Sequence, residues 1–128
     1  MRTVKRNSND VKAEIEHLWE DRNIYVAEQI RRYPTKAILE AVAAAHGLGL
    51  TALRSPVRTK PVSMARHHAV WELRRRRLDL SFRQIAAELD RINHATAVHS
   101  WQTFCNVVRR GDCAAERAAV AAELEGKP

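Results

Sequence analysis

Apolar positions along this chain recur at three- and four-residue spacing, the period of one face of an α-helix. Val11, Ile15, Leu18, Trp19, Val26 and Ile30 predict a helix from about Val11 to Arg32, capped by Asp10. Tyr33-Pro34 ends it, because the residue before a proline is pushed out of the helical region. Residues 1–9 are polar and weakly basic, and disorder is expected there. Thr35 caps a second helix, Lys36 to His46, with Ile38, Leu39 and Val42 inward, and Gly47 stops it. Leu48 to Arg54 holds a short helical turn carrying Leu50 and Leu53. Ser55 to Pro61 reads as a proline-bracketed basic loop. Ser63 then caps a long helix to about Arg77, with Ala69, Val70 and Leu73 inward.

The stretch from Ser81 to Thr103 reads as two short helices joined by a tight turn. Ser81 and Gln84 stand at capping-box spacing, and Ile85, Ala86 and Leu89 form an apolar stripe. The pattern breaks at Asp90-Arg91-Ile92, and Asn93 is a strong N-cap for a new start. On the second helix Val98, Trp101, Cys105 and Val108 share the face expected to be inward. Thr96, His99, Ser100 and Thr103 share the opposite one. That helix is expected to reach Arg110, where Gly111 breaks it; Asp112 then caps a final alanine-rich helix from about Cys113 to Glu125. The fold class is therefore all-α. The expected organisation is an N-terminal arm and helix over 1–33, a central unit over 34–111 and a C-terminal helix over 112–128.

Composition narrows the choices. The 128 residues are 45% hydrophobic and 29% charged, the balance of an ordinary globular domain. No run of 18 apolar residues exists, so no membrane span is expected, and the N-terminus lacks the apolar core of a secretory signal. Two cysteines do not make a disulfide framework, and the reducing cytoplasm is the expected compartment.

Charge is more informative once located. Between Arg54 and Arg83 there are nine basic residues and two acidic ones, Glu72 and Asp79. This segment carries the whole net charge of +7, and the remainder of the chain is formally neutral. A clustered basic patch beside a bihelical unit is the footprint of a polyanion site. Arg74–Arg77 also suit a helix C-terminus, where cations complement the dipole.

No chemistry of catalysis stands out. The phosphate-binding G-x-x-x-x-G-K-[ST] loop is absent, so no ATPase module and no cofactor are expected. His94 and His99 diverge around a helix and His67 and His68 are adjacent, which does not gather ligands for a metal. Cys105 lies on the apolar stripe, and Cys113 sits near acidic Asp112 and Glu116 without an activating cation. Trp71 and Trp101 read as core residues. The protein is expected not to be an enzyme.

From Val42 to Ser100 the chain resembles the C-terminal DNA-binding domain of the bacterial replication initiator DnaA. Val42-Ala43-Ala44-Ala45-His46 through Leu53-Arg54-Ser55 matches the frame of the family's first conserved helix and turn, and Pro56 to Pro61 stands for its basic loop. The family's next helix begins R-Q and runs A-x-x-L; here Arg66-His67 leads into Ala69 and Leu73. Ser81-Phe82-Arg83-Gln84-Ile85-Ala86 stands in place of S-L-P-E-I-G, after one extra residue. Asp90-Arg91-Ile92-Asn93-His94-Ala95-Thr96-Ala97-Val98-His99-Ser100 aligns with the signature G-G-R-D-H-T-T-V-x-H-A. His94, Thr96 and His99 are retained. Both glycines, the arginine, the aspartate and the first threonine are replaced.

The resemblance implies a helix-turn-helix fold of this type, here with an extra N-terminal helix, and double-stranded DNA as the partner. It implies that His94, Ala95 and Thr96 face base edges in a major groove, beside Asn93 at the turn and His99 one turn on. It also implies that Arg58, with Lys60, enters the adjacent minor groove, and that Arg66 and His67 touch backbone and base. A role as a transcription or replication regulator in the bacterial nucleoid follows from the same likeness. The other class left open is a protein-interaction module built on this fold. The N-terminal helix would serve a homodimer or a protein partner in either case.

Overall fold

Residues 22–90 and 93–126 are described in the computed structural model. The first part of the N-terminal arm, including residues 1–9 and Trp19, lies outside the described residues. Among the described residues regular structure is helical throughout, with no strand. Residues 22–32 form α1. They are followed by α2 (Thr35–Ala45), α3 (Leu50–Leu53), α4 (Lys60–Arg76), α5 (Phe82–Glu88), α6 (His94–Arg109) and α7 (Ala114–Glu125).

α4 is the hub. It packs against α2, α3, α5 and α6, while α5 also packs on α6 and α7 lies along α2. Ile38, Leu39 and Val42 of α2, Leu53 of α3, Ala65, Ala69 and Leu73 of α4, and Ile85 of α5 are fully buried in one cluster. Val120 of α7 joins it, so the last helix closes the same core. The helix ends follow from backbone chemistry. At Gly47 (φ +70°) α2 closes with Leu48 N–H donating to the Ala43 carbonyl at 2.8 Å and Gly47 N–H to Ala44 at 3.0 Å. This pairing needs a left-handed residue, which glycine adopts without a Cβ clash.

Several boundaries differ from the pattern-based expectation. Pro34, not Thr35, takes the N-cap of α2. α4 begins at Lys60 with Thr59 at its N-cap, so Pro61 lies in the first turn and Ser63 is already helical. A proline fits there because a first-turn N–H has no intrahelical acceptor to lose. Cys113 (φ +55°) occupies the N-cap of α7. Asp112 does not cap that helix; its carboxylate accepts from Arg110 Nε at 3.1 Å.

The buried face of α6 is rotated by one residue from the expected stripe. Ala97, Ser100, Phe104 and Val107 are buried, whereas Val98, Trp101, Cys105 and Val108 are only half-buried. Phe104 decides the rotation. It is fully buried and stacks on His68 of α4, with ring centroids 4.6 Å apart and planes 9° apart. Ser100 tolerates burial because its hydroxyl pairs with His67 Nδ1 at 2.9 Å.

A buried polar chain runs through the hub. His46, at the end of α2, lies with Nε2 2.8 Å from His68 Nδ1. His68 Nε2 is 3.4 Å from Glu72 Oε1, Arg76 Nε donates to Glu72 Oε2, and Arg76 Nη1 donates to Glu125 Oε1 of α7 at 2.7 Å. His68 and Glu72 are both at 0% exposure. A carboxylate only accepts, so His68 carries its hydrogen on Nε2, and His46 Nε2 must donate to His68 Nδ1. Burial alone would raise the Glu72 carboxyl. The hydrogen bonds to His68 and Arg76 and the Arg76 charge outweigh burial and hold it below its ordinary range. Burial, and then the neighbouring His68, push His46 down, against a smaller opposing effect of Glu116.

Removing the centre of this chain leaves Arg76 buried against Glu125 alone. Glu72→Gln is expected to destabilise the fold by about 3 kcal/mol, measured by urea unfolding. The pH dependence has a definite sign. His46 titrates lower in the folded than in the unfolded chain, so stability is present above its ordinary value of 6.5 and is lost as pH falls below it. Glu72, also lowered, adds a loss of the same sign at more acidic pH. Melting temperatures should therefore fall from pH 7.5 to 5.5, with a shallower fall for His46→Gln.

The α5–α6 turn supplies a second test. Asp90 has φ +55°, a conformation that disfavours a Cβ-bearing residue, and its N–H donates to the Ala87 carbonyl at 3.1 Å. Asp90→Gly should stabilise the protein by about 0.5–1 kcal/mol, read as a raised melting temperature.

Candidate nucleic-acid interface

α5, the turn after it and α6 form the bihelical unit. Ser81 Oγ accepts from Gln84 N–H at 3.2 Å and Gln84 Oε1 accepts from Ser81 N–H at 2.8 Å, a complete capping box. Asn93 caps α6, its Oδ1 accepting from Ala95 N–H at 2.9 Å. That cap starts α6 at His94 and sets which side chains face outward. Asn93, His94, Ala95 and Thr96 are exposed in succession, and His99 is exposed one turn later. Ala97 and Ser100, between them, are buried against the core.

The loop between α3 and α4 is shorter than the proline spacing suggested, because α4 starts at Lys60. Val57, Arg58, Thr59 and Lys60 are exposed. Arg66, nearly two turns inside α4, reaches back into this loop. Its Nε donates to the Leu53 carbonyl at 2.9 Å, Nη1 to the Val57 carbonyl, and Nη2 to the Ser55 carbonyl, to Ser55 Oγ at 3.3 Å and to the Ala52 carbonyl at 3.4 Å. Arg54, at the start of the loop, donates from Nε to the Glu88 carbonyl at 3.0 Å. That contact ties the loop to the last residue of α5, next to the turn.

His67 makes the other connection. Its Nδ1 is paired with Ser100 of α6, and its ring meets the exposed His99 ring edge-on, with centroids 6.2 Å apart. Burial, then His99 and Arg66, push the His67 imidazole below its ordinary range, so it is neutral at physiological pH. His99 Nε2 lies 3.4 Å from Thr103 Oγ1. Neighbouring residues of α4 thus bind the basic loop on one side and α6 on the other. Arg58, Lys60, Asn93, His94, Ala95, Thr96 and His99 are exposed, and Arg66 and His67 are half-buried.

The arginine run gives a different picture from the charge count. Arg76 and Arg77 are 5% and 8% exposed. Arg76 is held by Glu72 and Glu125, and Arg77 is bidentate to Asp79, with both N–O distances 2.9 Å. Arg74 donates to the Leu80 carbonyl at 2.9 Å and lies over the Phe82 ring, and Arg75 lies over Trp71. Arg74 to Arg77 therefore finish α4 and bind it to its surroundings, rather than forming an open polyanion patch. The reason is tertiary: Glu125, Tyr33 and Phe82 come to this helix end from distant parts of the chain. Of the segment's basic residues, Arg58, Lys60, Arg75 and Arg83 are exposed.

Sequence reasoning did not find the loop anchor at Arg66, the Arg54–Glu88 link or the Ser100–His67 pair. The spacing of Ala97, Phe104 and Val107 carried a signal for the buried side of Ser100, since all four lie on one helical face. The adjacent His67 and His68 do diverge, one toward α6's exposed side and one into the core, yet each meets a second histidine from another element. Among the described residues no three His, Cys, Asp or Glu side chains gather in a group that could hold a metal. Burial, with Glu116 and Asp112, pushes the Cys113 thiol up, away from a reactive thiolate. Among the described residues no helix is long and apolar enough to cross a membrane.

No curated protein and no solved structure matches this chain. Residues 35–103, from the first residue of α2 to the middle of α6, match the family described as the bacterial dnaA protein helix-turn-helix. The matched span takes in α2 to α5, the basic loop, the turn and the exposed half of α6. With more than half of its length matched and the bihelical unit in place, the chain belongs to the bacterial DnaA helix-turn-helix family.

Proposed function

We propose that the protein binds double-stranded DNA sequence-specifically and acts as a transcription or replication regulator, without catalytic activity of its own. The observation that carries this reading is the exposed run His94-Ala95-Thr96 at the start of α6, a helix that His67 of α4 joins through Ser100, while Arg66 of the same α4 tethers the exposed loop bearing Arg58. A helix N-terminus offers backbone amides to a phosphate, and its first turn points side chains at base edges in a major groove. In this reading His94 donates or accepts at a base edge, Thr96 reads a second one, and the Ala95 methyl meets a thymine methyl. Asn93 holds the turn in register and His99 extends the contact along the groove. Arg58 and Lys60 enter the neighbouring minor groove, where a narrow width concentrates negative potential. His67, fixed by Ser100, lies against the sugar–phosphate backbone.

A second reading rests on a separate feature. Ile24 (63% exposed), Tyr25 (54%) and Ile30 (46%) are large apolar side chains left in solvent on α1. They favour a protein-interaction role for that helix, with a second copy or another protein, either beside DNA binding or in its place.

A gel shift against random genomic fragments, with sequencing of the bound fraction, separates the two. Enrichment of a common sequence supports the first reading, and no binding at low salt leaves the second. If the loop touches phosphates, affinity falls by roughly 0.9 log units per log unit of salt for each phosphate neutralised. The double variant Arg58→Ala, Lys60→Ala should then bind more weakly and show a flatter salt slope. Thr96→Ala should relax preference at one or two base pairs by about 1–3 kcal/mol each, while non-specific binding survives. Equal loss of specific and non-specific affinity would make Thr96 a backbone contact.

A further inference from the structure

Arg66 stands in the loop-and-helix surface, where a cation is expected to meet a phosphate directly. Its geometry is that of a different job. All three guanidinium nitrogens donate into the stretch from Ala52 to Val57: Nε to the Leu53 carbonyl, Nη1 to that of Val57, and Nη2 to the carbonyls of Ala52 and Ser55 and to Ser55 Oγ. The Ser55 hydroxyl itself donates to the Ala52 carbonyl at 2.7 Å, so the guanidinium and this hydroxyl together fill the inside of the bend. Two local bonds add to this fork, Ser55 N–H to the Ala52 carbonyl at 3.2 Å and Val57 N–H to Ser55 Oγ at 3.4 Å. Val57 and Arg58 are exposed, and Pro56 contributes no N–H. Only a planar, multidentate cation can serve several carbonyls at fixed angles; a lysine ammonium is a single point charge on a flexible stem.

We infer that Arg66 is a positioning residue: it sets the shape of the Ser55–Thr59 loop and thereby aims Arg58 at the nucleic acid, without being a principal phosphate contact itself. The inference rests on the DNA-binding reading above, and it makes the charge of Arg66 less important than its fork. Carbonyl oxygens drawn to one guanidinium also turn their negative ends inward, which leaves the outer side of the loop to the Arg58 charge.

The charge-conserving variant Arg66→Lys separates the two roles. Positioning predicts that Arg66→Lys loses affinity about tenfold, as much as Arg66→Ala, and that its salt slope falls by the amount that Arg58→Ala alone removes. It also predicts that Arg58→Ala has almost no further effect in the Arg66→Lys background. Near-native affinity for Arg66→Lys, or additive losses for Arg58→Ala and Arg66→Lys, overturns it in favour of a direct charge contact. Limited trypsin digestion of the free protein reads the loop without DNA. The Arg58–Thr59 bond should resist cleavage in the wild type and be cut early in Arg66→Lys, at a concentration where far-UV circular dichroism shows both folded. Rapid cleavage of that bond in the wild type overturns the anchoring. Wild-type protein that binds no DNA overturns the DNA reading and this inference together, whereas wild-type binding with an unimpaired lysine variant overturns this inference alone.

Discussion

Everything in this fold is arranged around an ionised carboxylate in its centre. Glu72 has no exposed surface, yet it remains charged, because His68 and Arg76 flank it and Arg76 is in turn held by Glu125. A charge removed from water in this way is tolerated when it is paired and hydrogen-bonded, as Glu72 is, although Arg76 Nη2 is buried without a partner among the described residues. That requirement draws in α2 through His46 and α7 through Glu125, and it fixes the tautomers of two histidines. Phe104, stacked on His68, brings α6 against the same point. A hydrophobic core of alanine, leucine and valine would slide more easily. The polar chain specifies one rotation of α4 relative to the helices around it.

That rotation carries through to the surface. On α4, His68 faces the core, so its neighbours Arg66 and His67 are turned toward the loop and toward α6. Arg66 then gathers the backbone between Ala52 and Val57, while His67 meets Ser100 and His99. The same helix that anchors the core therefore sets the distance between the basic loop and the exposed start of α6. The departures from the family signature fit around this frame. Asp90, which stands where the signature has a glycine, adopts the left-handed conformation, and Asn93, where it has aspartate, caps α6.

The basic segment shows how net charge and usable charge separate. Its excess of nine cations over two acids looks like an open polyanion surface when counted along the chain. In three dimensions Arg76 and Arg77 are buried with carboxylates, Arg74 and Arg75 lie on aromatic rings, and Arg54 and Arg66 hold backbone carbonyls. Arginine suits such places because its planar fork satisfies several acceptors while its face stacks on a ring. The cations left exposed in this segment are Arg58 on the loop, Lys60 at the start of α4, Arg83 in the first turn of α5, and Arg75 over Trp71.

Local signals were enough for the elements themselves. Helical spacing, the Ser81–Gln84 capping box, the Asn93 cap and the stop at Gly47 each depend on residues a few positions apart, and each appears in the structure as expected. The helix-turn-helix resemblance was legible for the same reason, since its landmarks lie in one continuous stretch. The rotation of α6 was not: a stripe through Val98, Trp101 and Cys105 looked as apolar as the one through Ala97, Ser100 and Phe104. Burial of Ser100 becomes favourable only when His67, thirty-three positions away, supplies its hydrogen bond. The roles of Arg66, Arg76 and Glu72 were hidden likewise, because a charged side chain carries no local mark of whether its partner will be water, a carboxylate or a loop of carbonyls. Period and capping are written in short-range geometry; the pairing of polar groups is decided by which distant elements the packed core brings together.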